Sequence, residues 1–374
     1  MRRDCDDHVK NQQSHVPGKH SIWKDTIDDS YRIANVIFET IVSHSSLQQQ
    51  DEQIAVTIWL PTTKSSDMVS ELADIICDNS QRLGGWTGKV ETWPDAPATG
   101  ISLHRGGTMN GEGCNDDRLP SSDTISETNM ISEAISNTEA WVDETLCKLG
   151  LCPYTVSMRR AAVGLGPVGV KEGPVVVRHA LSSSAVDGDS RVIASDAISL
   201  VSSFWRGVED LATSPEEKVA TFLIVAPPYY DTEFTEFIAT CDGLLERTAK
   251  AVGADDVIGK AWFHPNYDSS LVGQDQILPG HALPATMVQR FVEEYYGDPD
   301  AARTHPPVSL GDADAIARAN DAVRHTPHAT VNLLRRSQLQ ASKKAEAALT
   351  GTKVKPNFIY ARNVVRLMAP SPKE

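Results

Sequence analysis

ATFLIVAPPYYDTEFTEFIATCDGLLERTAKAVGADDVIGKAWFHPNY, residues 220–267, is the stretch that decides the fold. Its apolar opening, 220–226, reads as a strand. Phe234, Phe237, Ile238, Cys241, Leu244, Leu245 and Val252 then share one face, which predicts a helix over 232–252. A second strand at 257–263 runs directly into His264-Pro265-Asn266-Tyr267. Strands alternating with covering helices indicate one sheet packed on helices. Ligand sites in such folds collect at the carboxyl edge of the sheet, so His264 is well placed for chemistry.

The pattern continues on both sides. Upstream, Ser136-x-x-Glu139 reads as a capping box, followed by Trp141, Leu146 and Leu149 on a helix ended by Gly150. A β-run at 175–181 and a helix over 195–213 lead to the first strand. Downstream, a loop at 268–308 precedes a helix over 312–323, capped by Ser309 and acidic in its first turn. Another helical stretch is expected after Thr330.

Nearer the start, 25–43 reads as an amphipathic helix through Ile33, Val36, Ile37 and Ile41. Next come a strand at 54–60, a helix through Met68, Leu72, Ile75 and Ile76 stopped at Gly84 and Gly85, and short strands near 89–93 and 100–104. The expected class is α/β or α+β: a mixed sheet packed against helices, preceded by a smaller α/β unit and a flexible linker. The units are a disordered start at 1–20, the small unit at 21–104, a Gly, Ser and Asp-rich linker at 105–133, the main unit at 134–340 and a charged tail at 341–374.

The 374 residues are 40% hydrophobic, enough for a sizeable core. Against 50 acidic residues stand 35 lysines and arginines, a net charge of -15. That balance argues against nucleic acid or an anionic membrane as the main partner. No apolar run approaches the roughly 20 residues needed to span a bilayer. The start lacks the apolar stretch of a secretory signal. The six cysteines are scattered, with no Cys-x-x-Cys pair, so a reducing, cytoplasmic setting is expected rather than a disulfide scaffold.

Three constellations could carry chemistry. Cys152-Pro153-Tyr154-Thr155 follows a helix-ending glycine, where a thiol can be partly exposed and a helix terminus can depress its pKa. Thr155 stands where a dithiol site would have its second cysteine, and the alternative is a small hydrophobe packed at a turn. His264 is a base or metal ligand, or else it anchors its loop through a backbone carbonyl. His325-Thr326-Pro327-His328 is a candidate metal pair or a polar turn, and Arg324, Arg335 and Arg336 nearby would suit a carboxylate or phosphate. Residues 164–169 are glycine-rich without nucleotide-loop spacing, and neither Gly-x-Ser-x-Gly nor His-Glu-x-x-His occurs.

The leading expectation is therefore a small-molecule enzyme or binding protein. Cys152 would be its thiolate or ligand, His264 its base, and Tyr154 and Tyr267 would flank a ligand whose anionic group Arg324 and Arg335 hold. No motif requires a cofactor. A zinc domain built from Cys152, His264, His325 and His328 is the alternative, and a non-enzymatic interaction module using the acidic 1–133 region is the third.

The ordered set Leu149-Gly150-Leu151-Cys152-Pro153-Tyr154, ATFLIVAP, Phe263-His264-Pro265-Asn266-Tyr267, and Pro327 with 330–335 resembles the family catalogued as domain of unknown function 1415. The resemblance spans roughly 138–340 and implies one folded unit without an assigned reaction. This chain departs from the family pattern at His325, His328, Ala329 and Asn332.

Overall fold

A computed structural model describes residues 19–23, 30–45, 54–61, 66–92, 98–105, 124–152, 154–180, 196–272, 276–296, 313–349 and 358–368. Nearly all of the expected disordered start lies outside these residues, as do residues 106–123 of the expected 105–133 linker, whose remainder from Thr124 is helical.

Two four-stranded sheets organise the chain. The first contains β1 (Lys19–Trp23), β2 (Ile54–Pro61), β3 (Trp86–Thr92) and β4 (Ala98–Arg105) in the order β1-β2-β4-β3. Helix α1 (Ser30–Ser45) connects the parallel pair β1 and β2, and α2 (Ser66–Asp78) follows β2. Strand β1 was not legible beforehand, since five residues KHSIW carry almost no periodic signal.

After α3 (Thr124–Trp141) and the hairpin of β5 (Thr155–Ser157) and β6 (Arg160–Ala161), the chain enters the second sheet. Strand β7 (Val175–His179) pairs parallel with β8 (Thr221–Val225), a pairing that needs a crossover such as the one containing α4 (Asp196–Thr213). Three short helices follow, α5 (Tyr229–Thr232), α6 (Phe234–Thr240) and α7 (Arg247–Ala251), then β9 (Ile258–Phe263), α8 (Ala285–Tyr296) and α9 (Ala313–Ala322). Strand β10 (Thr330–Arg335) inserts between β8 and β9, antiparallel to both, giving the order β7-β8-β10-β9. Helices α10 (Arg336–Leu349) and α11 (Phe358–Met368) follow β10.

This is the mixed α/β class expected, with several local differences. Ser136 and Glu139 lie inside α3, whose first residue is Thr124, so they cap no helix start. The helix expected over 232–252 is interrupted at Glu233 and again by a π-helical segment at Cys241–Glu246, an irregularity invisible to apolar spacing. Residues 330–335 form a central strand before the helix begins at Arg336. Thr330, Val331 and Leu333 are buried between two neighbours, and this pairing outweighs helical propensity. The stretch from 341 contains α11, whose Val364 and Val365 are fully buried against Val288, Val292 and Ile316.

The two sheets share one core. A single buried cluster holds Phe38 and Trp86 from the first unit together with Phe204, Trp205, Phe237 and Trp262 from the second. Its seam is α1 on α4, edged by Arg32 with Glu209 at 3.2 Å and Arg206 with Glu39 at 3.0 Å. No described helix is long and apolar enough to cross a membrane.

Candidate functional site

Every histidine singled out from the sequence lies near the edge where β9 ends and β10 begins. Strand β9 delivers His264 into a turn closed by the Tyr267 amide bonding the His264 carbonyl at 3.2 Å. His264 is fully buried among Phe234 and Phe237, whose ring centroids lie 4.9 and 5.6 Å from its own. Its Nε2–H donates to the Tyr230 carbonyl at 2.6 Å, and Nδ1 accepts from the Asn266 amide at 2.9 Å. Burial pushes its pKa down, partly offset by the bond to Tyr230. With both nitrogens engaged, His264 has no lone pair for a metal or a substrate proton. It anchors the turn.

The 324–328 segment clamps the same turn. Arg324 places its guanidinium 5.1 Å from the Phe263 ring centroid and donates from Nη2 to the His281 carbonyl at 2.9 Å. His325 Nε2 bonds the Tyr267 carbonyl at 3.2 Å. His328 donates from Nδ1 to Asp231 at 2.7 Å, and the other Asp231 oxygen accepts the Ala329 amide at 2.7 Å. Nε2 of His328 is buried without a hydrogen-bond partner. His179, at the end of β7, is 2% exposed, and burial with His328 nearby lowers its pKa to about 4.

The remaining expected residues lie elsewhere. Cys152 sits in a turn whose neighbouring carbonyls are held from α11. Arg362 and Arg366 donate to Gly150, and Asn363 to Leu151. The Thr155 hydroxyl donates to the Cys152 sulfur at 3.3 Å, and the Tyr154 hydroxyl donates to the Ser342 carbonyl at 3.1 Å. No hydrogen bond joins Cys152 to His264. Nearby Cys147 has its thiol pKa raised by burial and by Asp143. Arg335 spends its guanidinium on the carbonyls of Leu211, Ser214 and Val219, so it serves the fold rather than an anion. Among the described residues, no three His, Cys, Asp or Glu side chains converge as a metal set.

Of the expected residues, Tyr267 lines a cavity. A space of about 390 Å³ lies between the segment after Tyr267 and helix α9. Tyr267 and His281 line it, as do Asp321 and Arg318 from α9. Tyr267, 3% exposed, accepts the Ala282 amide at 2.9 Å and meets His281 Nδ1 at 3.2 Å. His281 Nε2 lies 3.0 and 3.1 Å from the two Asp242 oxygens. A carboxylate offers acceptors only, so in the neutral ring Nε2 carries the hydrogen and Nδ1 accepts from the tyrosine hydroxyl. The result is a continuous Asp242–His281–Tyr267 chain, of which His281 and Tyr267 line the cavity.

His281 and Asp242 escaped sequence reading. His281 lies within the segment read as a loop, and Asp242 follows Cys241 on a helix read for its apolar face. The segment is nevertheless held firmly against the sheet. The Trp262 amide donates to the Gly280 carbonyl at 2.8 Å, extending the pairing beyond the edge strand β9. Compared with known protein families, curated proteins and solved structures, the chain matches none.

Proposed function

We propose that this protein binds a small organic molecule in the cavity beside Tyr267 and His281, and that the Asp242–His281–Tyr267 chain moves a proton there. The observation that carries the reading is the joint presence of a ligand-sized cavity and a hydrogen-bonded acid–base chain that ends at Tyr267 and His281 in its wall. Asp242 orients the imidazole, the imidazole holds the tyrosine hydroxyl, and the hydroxyl is the group through which a proton would pass. Arg324 and His325 act as positioning residues, because they fix the backbone that carries His281 and Tyr267.

The reading keeps the small-molecule class expected from the sequence and moves the chemistry from Cys152 and His264 to Tyr267, His281 and Asp242. Membership of residues 138–340 in the family called domain of unknown function 1415 belongs to the same proposal. Its support is the order of the motifs quoted above.

The test is a ligand-observed NMR screen of metabolite-like compounds against the full chain and an Ala317→Trp variant, which fills the cavity from α9. Hits that bind the parent and not the variant are expected. A saturating hit at a hundred times its Kd should stabilise the parent by about 2.7 kcal/mol. Where a hit is converted, Tyr267→Phe should slow conversion by about 10²–10⁴-fold. A screen in which no compound distinguishes parent from variant would overturn the proposal.

A further inference from the structure

We propose that Cys147 and Cys152 form a redox pair that closes reversibly into a disulfide by exchange with a low-molecular-weight disulfide. The chain runs from α3 through a π-helical turn at Val142–Cys147 and then reverses. The reversal is a Schellman closure. The Leu151 amide donates to the Leu146 carbonyl at 3.0 Å and the Gly150 amide to the Cys147 carbonyl at 3.0 Å, with Gly150 at φ +59°. The Cys152 amide donates to the same Leu146 carbonyl at 3.4 Å. That oxygen belongs to the peptide unit ending at the Cys147 α-carbon, so planar geometry caps the separation of the two α-carbons at about 8 Å. The cap takes in the roughly 4.4–6.8 Å that disulfides span. A helix-ending turn therefore brings together two cysteines that lack Cys-x-x-Cys spacing.

The side chains agree with the backbone. Cys147 and Cys152 are both half-buried, neither sealed in the core nor fully open. Burial, then Asp143, then Cys152 raise the Cys147 pKa, so the two sulfurs lie within electrostatic reach of each other. The Thr155 hydroxyl at 3.3 Å orients the Cys152 sulfur. Helix α11 holds the turn in one conformation: Arg366 donates to the Leu149 and Gly150 carbonyls at 3.0 and 2.9 Å, and Arg362 to Gly150 at 3.0 Å. The other described cysteines differ. Cys241 is fully buried in the core, and Cys77 donates to the Gly88 carbonyl at 3.1 Å.

The chemistry assigns an order to the pair. The Cys152 thiolate attacks one sulfur of the small disulfide, whose S–S bond breaks and releases one small thiol. The Cys147 thiolate then attacks the Cys152 sulfur and displaces the second small thiol. Two electrons pass from the protein to the small disulfide, and the two protein thiol protons end on the released thiols. Cys147 is the resolving member, because burial and Asp143 keep its thiol protonated until a neighbour presents a disulfide. Held in one turn, it attacks at an effective concentration that free thiols do not reach. In a reducing setting such a bond is transient, which suits a regulatory or catalytic pair rather than a structural one.

The test treats the reduced, folded full chain with oxidised glutathione, traps the remaining thiols by alkylation and maps the cysteines by peptide mass spectrometry. The parent should lose two alkylatable thiols together, yield a Cys147–Cys152 link and regain both thiols with dithiothreitol. Cys147→Ser should stop at a glutathione adduct on Cys152, and Cys152→Ser should react more slowly at Cys147, with circular dichroism verifying both folds. A parent that keeps glutathione on Cys152 without closing overturns the proposal. So does a parent in which excess oxidant leaves both thiols free, or one in which either cysteine links to a third.

Discussion

His264 shows how little a residue's place in a motif says about its role. The carboxyl end of β9 is where a catalytic base would be looked for, yet both its nitrogens are committed to Tyr230 and Asn266. Its contribution belongs to stability, and its sign with pH follows from burial. Unfolded imidazoles take up protons near pH 6.5, whereas buried His179 does so only near 4 and His264 is shifted in the same direction. Between those values the unfolded chain binds more protons, so stability is fully present above about 6.5 and is lost as pH falls toward 4. Each such histidine contributes a slope of at most about 1.4 kcal/mol per pH unit. Urea unfolding at pH 7 and pH 5 should show a smaller drop in His179→Asn than in the parent, with carboxylate effects common to both. Identical drops would refute the assignment of His179 as a buried neutral ring.

At the scale of elements, the apolar patterns of β8, β9, α1, α2 and α4 were legible because each buries one consistent set of side chains. What escaped was set by partners distant in sequence. Strand β10 became a strand because β8 and β9 offer hydrogen bonds on both its sides. The 276–284 segment reads as a loop because its order comes from one close approach. Gly280 has φ near +80°, and a Cβ there would lie 2.2 Å from the Trp262 indole nitrogen. Gly280→Ala should therefore cost about 2–4 kcal/mol in urea unfolding, from left-handed backbone strain plus overpacking. It should also weaken any cavity ligand, since His281 is the next residue. A cost below about 0.5 kcal/mol would mean that the segment is not held against β9 as described.

At the scale of the whole molecule, the shared core carries its own prediction. Phe204 and Trp205 of α4 belong to the same buried cluster as Phe38 of α1 and Trp86 of β3. The two sheets should then unfold together, with tryptophan fluorescence and far-UV circular dichroism giving coincident curves. Phe204→Ala should lower that single transition by about 3–5 kcal/mol. Two separated transitions, only one of them moved by Phe204→Ala, would show that the sheets are independent.

By itself the sequence determined the mixed α/β class and most strands and helices, because burial of periodic apolar faces is a local signal. Only the tertiary structure decided that Cys152 and His264 share no bond, that Arg335 braces backbone carbonyls, and that Asp242, His281 and Tyr267 form one chain beside a cavity. Those roles depend on which donor meets which acceptor across tens or hundreds of residues. Spacing along the chain does not encode such meetings until the sheet has set its register.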